Sequence, residues 1–178
     1  MSDGPWVHES APYVQPRGKR DTWSQEAASR GHSGTQRIVR AGETTAPAEV
    51  AEALGLTAGT TVVERCREIL LDGRAVELTR TYFPVGIARG TALATTRKIR
   101  GGVVALLADL GHAPHVVREE VHARMPDAHE RATLELGPSE PVLHLLRHTL
   151  DRDGLLFQVD VSVFAASTQR LRYEMRVG

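Results

Sequence analysis

At 178 residues and 19.4 kDa the chain can bury a real core as one domain, and 41% hydrophobic with 25% charged residues is ordinary for a folded protein, which excludes disordered and fibrous classes. Its 22 basic side chains are balanced by 22 acidic ones, so it lacks the Lys and Arg surplus that phosphate neutralisation requires, and direct nucleic-acid binding is not expected. No apolar run has the length of a membrane span and no charged-then-apolar secretory start is present, so the expectation is a cytoplasmic protein with no membrane partner.

Residues 1–18 carry Gly4, Pro5, Pro12, Pro16 and Gly18 among mixed charges, and read as a flexible arm ahead of a domain over 19–178. Arg17, Lys19 and Arg20 cluster at its end, a grouping ordinary for a soluble tail. A helix is predicted from Lys19 to Arg30, capped at Asp21 or Thr22, with Trp23, Ala27 and Ala28 facing inward. A strand follows at about Thr35 to Ala41, then a short helix from Pro47 through Leu54 closed by Gly55. Residues 61–83 form a β-hairpin about Asp72-Gly73, a strong turn signal between β-branched and apolar runs. Pro84 to Gly90 reads as a turn or short helix, and Gly102 to Leu110 as a helix with Val103, Leu106, Leu107 and Leu110 on one side. Val116 to Met125 alternates like a half-exposed strand, and Asp127 to Leu134 reads as a helix. Val142 to Leu150 and Leu155 to Phe164 make a second hairpin, and Arg170 to Val177 a last strand. Helices among hairpins without a βαβ rhythm imply an α+β domain, an antiparallel sheet flanked by helices.

The first hairpin carries the chemistry. Residues two apart share a face of a strand, so Arg65 and Arg67 project together, and paired guanidiniums can grip a carboxylate or phosphate. The alternative is a solvated face on which they pair with Glu64, Glu68 or Glu77. Register decides which side Glu77 occupies: a strict two-residue loop sets Arg67 opposite Leu78, whereas a three-residue loop sets it opposite Thr79 with Glu77 on the arginine face. On the second hairpin Leu155, Phe157, Val159, Val161 and Val163 form a continuous apolar face, while Gln158, Asp160, Ser162 and Phe164 make a mixed face suited to a cavity. His144 and His148 are in phase on the neighbouring strand, as half-exposed strand residues or as proton donors and acceptors beside Asp160. The single cysteine, Cys66, permits no intramolecular disulfide and reads as a small buried or half-buried residue; no histidines and cysteines have zinc-ligand spacing, and neither metal nor cofactor is expected.

The hairpin resembles the start of the ligand-binding core of UTRA domains, the effector-sensing halves of GntR-type transcription regulators of the HutC subfamily, which are similar in fold to chorismate lyase. The resemblance covers about residues 21–177. It is carried by Trp23, Gly34-Thr35-Gln36 and Ala46 to Leu56 upstream, and downstream by Leu106 to Gly111, Glu119 to Arg124, Pro141 to Arg147 and Arg172-Tyr173. It implies an anion at Arg65 and Arg67, a ligand hydroxyl or amine at Glu77 beside Thr79, and a homodimer in which strand edges such as 170–177 pair between subunits. The family's serine and aromatic residue at the helix start are replaced by Gly101-Gly102-Val103, whose backbone amides can still hold an anion. The family's glutamate and tyrosine on the second hairpin are replaced by Gln158 and Phe164, which points from sugar phosphates towards a larger, less polar ligand with one acidic group.

The resemblance also implies a winged helix-turn-helix upstream, for which 18 residues leave no room. Either a DNA reader was cut away or the domain stands alone, and the lack of a visible purification tag favours the second. The expectation is therefore a small-molecule-binding effector domain, probed against two others. One is a cofactor-free lyase- or cyclase-type enzyme using Glu77, His144, His148 or Asp160 for acid–base work; the other is a partner-binding domain without ligand.

Overall fold

The computed structural model describes residues 5–15 and 22–175. In chain order its elements are β1 (Trp6–Glu9), α1 (Ala11–Val14), α2 (Thr22–Ser29), β2 (Gly34–Thr45), α3 (Ala48–Ala53), β3 (Thr61–Leu71), β4 (Arg74–Pro84) and α4 (Val85–Ala88). A 3-10 turn at Ala92–Ala94 leads to α5 (Gly102–Asp109), β5 (Val116–Arg124), α6 (Ala128–Thr133), β6 (Val142–Leu150), β7 (Leu156–Ala165) and β8 (Gln169–Arg172). The fold is α+β. Six strands form one antiparallel sheet in the order β2-β3-β4-β7-β6-β5, and β1 pairs with β8 in a separate parallel ribbon.

Residues 5–15, part of the flexible arm expected over 1–18, take a defined place in the fold. Trp6 is buried against Trp23 with ring centroids 5.1 Å apart, Arg30 lies 4.0 Å over the Trp6 ring, and β1 is thereby fixed beside β8. Proline and glycine content masked this, because a short segment can be ordered by two aromatic contacts without any periodic pattern. The Arg17, Lys19 and Arg20 cluster and the end of the strand predicted to reach Val177 lie outside the described residues.

Both sheet faces are covered. On one, Val62, Tyr82, Val159 and Val161 meet Val50 and Ala51 of α3; on the other, Val63, Phe83 and Phe157 meet Leu93 of the 3-10 turn and Leu107 of α5. Burying each of the larger side chains contributes about 1.5–3 kcal/mol. Gly34 opens β2 where α2 crosses it: a Cβ there would lie 2.6 Å from that of Ala27, so only glycine allows the approach that lets Ser24 Oγ donate to the Gly34 carbonyl. Helix α6 is opened by a capping box between Asp127 and Glu130.

Three one-residue irregularities set the faces. Between β3 and β4 the loop is strictly two residues, Leu71 opposite Arg74, with Asp72 at φ 50° and Gly73 at φ 84°. Val76 is then extra, because Leu70 opposes Ala75 and Ile69 opposes Glu77. Arg67 therefore faces Thr79 through a bulge, not through the longer loop that sequence reasoning required. In β7, Phe157 is extra between Gln158 opposite Thr149 and Leu156 opposite Leu150. The bulge breaks the continuous apolar face predicted from Leu155 to Val163: Phe157 turns to the α5 side, Val159 and Val161 to the α3 side, and Leu155 is half exposed. Val39 is the third, bulged outward from β2.

Candidate functional site

With these registers fixed, Arg65, Arg67 and Ile69 of β3, Glu77, Thr79 and Thr81 of β4, Gln158, Asp160 and Ser162 of β7, and Arg147 of β6 lie on one face of the sheet. They floor a cavity of about 860 Å³, within the range of small-molecule sites. Its roof comes from the segment before and through the start of α5, including Lys98, Arg100, Gly101 and Gly102; its side comes from Trp23 and from His8 and Tyr13 of the amino-terminal segment.

The two arginines of β3 do different things. The Arg65 side chain is buried and its guanidinium donates to the carbonyls of Ala92 at 3.2 Å, Leu93 at 3.4 Å and Arg97 at 2.8 Å, and also to that of Thr95. Burial, and then the neighbouring Arg67, pull its pKa below the usual arginine value. Arg65 is thus already engaged, holding residues 92–97 against the sheet. Each arginine has a buried Nε without a partner, but Arg67 is otherwise little engaged: its Nη2 makes a 3.4 Å contact to Thr81 Oγ1, and among the described residues no carboxylate forms an ion pair with it.

The acidic side of the floor is more satisfied. Asp160 accepts from Thr81 Oγ1 and Gln158 Nε2, each at 2.6 Å, and Glu77 accepts from Thr79, whose hydroxyl also lies 3.0 Å from Ser162 Oγ. Arg147 was not singled out from sequence. It lies opposite Asp160, donates to Glu119 at 2.6 Å and to Ser10 Oγ at 3.0 Å, and is buried. Burial opposes its charge, but Asp160 and Glu119 outweigh that and raise its pKa. The signal was present as an arginine in phase with Leu143 and Leu145, but its partner Glu119 is 28 residues away.

Several expectations are corrected by the geometry. His144 opposes Val163 and His148 opposes Val159, so both project to the α3 side of the sheet, where His144 sits 4.6 Å from His122, away from Asp160. A one-residue offset between neighbouring strands is enough to separate them from the cavity. Phe164 is on the cavity face but is covered by the His8 ring at 5.4 Å and does not line the space. Gly101 and Gly102 have φ values of 83° and 87°, a backbone that suits glycine and not the family's serine and aromatic residue. The Gly102 amide donates to the Ile99 carbonyl at 3.1 Å and is not bare. Cys66 lies on the opposite face, and burial pushes its thiol pKa up, as for a packing residue.

The architecture recurs in known proteins. The effector domain of PhnF from Mycobacterium smegmatis superposes with a TM-score of 0.72 at 24% identity, covering 92% of this chain and 99% of that one. A GntR-family transcriptional regulator from Bacillus cereus gives a TM-score of 0.69 at 17% identity, covering 82% and 99%. These likenesses show the fold. An uncharacterized HTH-type transcriptional regulator of Streptomyces coelicolor is 29% identical over 154 residues, 85% of this chain and 57% of that protein. A second, from Rhizobium meliloti, is 30% identical over 130 residues, 72% of this chain and 52% of its own length. The chain thus spans about half the length of the curated relatives it matches. The UTRA domain family matches residues 29–170, and the chain belongs to that family of GntR-type effector domains.

Proposed function

We propose that the domain binds a small anionic metabolite, with a carboxylate or comparable group at Arg67, and that occupancy serves transcription regulation as in the HTH-type regulators it resembles. The observation that carries the reading is the Arg67 guanidinium, facing a large cavity with its Nε buried and unpartnered. A buried donor without an acceptor costs about 1–3 kcal/mol, which an anionic ligand would recover through two parallel hydrogen bonds. Lys98 and Arg100 add positive charge to the cavity lining, while Glu77 keeps acceptor capacity for a hydroxyl or amine of the ligand. Ile38, Ile69, Trp23 and Val103 supply apolar wall, in keeping with a larger and less polar molecule than a sugar phosphate. A homodimer without direct nucleic-acid contact by this chain, acting in the cytoplasm, completes the proposal; no helix among the described residues is long and apolar enough to cross a membrane.

The enzyme reading is weaker on geometric grounds, since His144 and His148 face away and Glu77 and Asp160 are bound to threonine hydroxyls. A thermal-shift screen of mono- and dicarboxylates tests the proposal. Compounds that stabilise the wild type and leave Arg67→Ala unmoved are expected; equal shifts in both proteins would exclude Arg67 as the anchor.

A further inference from the structure

We infer that the amino-terminal segment Trp6–Gln15 is a closing strap of the ligand cavity and that its His8 and Tyr13 rings contact the bound molecule. The inference rests on the cavity being the ligand site. It does not follow from the family match, which begins at residue 29, after the strap.

The strap is tied at its outer end and packed over the cavity at its inner part. Its outer end is fixed: Trp6 N–H donates to the Thr168 carbonyl at 2.7 Å, the Val7 carbonyl accepts from Arg30 at 3.2 Å, and β1 runs parallel to β8. Its inner part lies over polar chemistry. His8 stacks on Tyr13 with ring centroids 4.8 Å apart and 24° between planes, and covers Phe164 from the cavity side. Four of its residues, His8, Pro12, Tyr13 and Gln15, line the cavity. Arg147 Nη2 donates to Ser10 Oγ at 3.0 Å and Tyr13 O–H to Glu26 at 2.6 Å, tying this part to groups of the domain.

Arg147 gives the strap its link to the ligand. Its Nε is committed to Glu119 and one Nη to Ser10, while it faces Asp160 and lines the cavity itself. A molecule that fills the floor therefore meets the same arginine that holds Ser10, and meets the stacked His8 and Tyr13 rings on its flank. Planar or unsaturated anions gain most from such a wall, because ring stacking adds to area burial.

The probe is anilinonaphthalene sulfonate, an aromatic anion whose fluorescence rises on burial, titrated against the full chain. Arg67→Ala and Tyr13→Ala should each weaken binding about tenfold, and Tyr13→Phe, which keeps the ring, should restore most of it. In the wild-type protein, amide hydrogen exchange of residues 6–15 should slow when the probe binds, which requires no variant to fold. Wild-type affinity in Tyr13→Ala, or exchange in 6–15 indifferent to probe while 98–104 respond, would overturn the strap and leave the cavity reading intact. Wild-type affinity in Arg67→Ala would instead remove the anion site on which the strap inference rests.

Discussion

Replacing Arg65 with alanine should loosen the cavity roof without removing the ligand's own anchor. Four carbonyls, those of Ala92, Leu93, Thr95 and Arg97, lose a charged donor. Hydrogen bonds to charged groups contribute about 1.5–3 kcal/mol each, but the contacts to Ala92 and Leu93 are long, and the exposed Thr95 and Arg97 positions can turn to water. Relief from burying a guanidinium beside Arg67 offsets part of the remainder. The net loss is about 3 kcal/mol, which a domain of this size survives and which lowers its melting temperature by roughly 6–12 °C. Arg65→Lys should recover about a third, since one ammonium cannot fan out over four acceptors. The assay is urea denaturation with amide exchange across residues 92–101. An unchanged midpoint in Arg65→Ala would refute the roof-holding role. So would anion affinity lost while residues 92–101 keep their protection, because Arg65 would then be touching the ligand instead of the roof.

Arg67→Ala should raise stability in urea denaturation by about 1–3 kcal/mol, because it breaks no ion pair and removes a buried Nε without a partner, while anion affinity falls at least about tenfold by calorimetry. The Arg124 guanidinium, 2.6 and 2.7 Å from Glu130, holds the Glu130 carboxyl below its ordinary pKa. The stability this confers is present above the unfolded carboxylate value and lost as pH falls through the folded one. Melting temperature should therefore drop below about pH 4.5, less steeply in Glu130→Gln, which is weaker at pH 7 by about 1 kcal/mol; parallel curves would contradict this. Burial lowers the His8 pKa, so protonating it favours the unfolded chain, and stability should already decline as pH falls below about 6.5, less so in His8→Phe. Gly34→Ala should destabilise by about 2 kcal/mol through the clash with Ala27, measured by the same denaturation.

Element existence and type were legible because period and turn chemistry agree locally. Asp72-Gly73 reads as a hairpin turn and is one, and the alternation of 116–125 survives as β5. Register was not legible, and the reason is physical: a bulge at Val76 or Phe157 is a one-residue decision taken by packing across the sheet, with no local marker. That single uncertainty separated Glu77 from Leu78 as a cavity residue and placed His144 and His148 on the wrong side. The split between Arg65 and Arg67 was equally hidden, since the carbonyls that engage Arg65 come from residues 27 to 32 positions away. The strap was missed because two tryptophans, Trp6 and Trp23, order it by a contact between segments that each look irregular.

Native mass spectrometry of the protein purified from its own host, beside Arg67→Ala prepared identically, asks whether Arg67 anchors an anionic ligand. An anionic small molecule is expected on the wild type and missing from Arg67→Ala, returned unaltered after incubation. The same passenger at equal occupancy in both proteins, or its conversion to a product of different mass, would contradict that expectation.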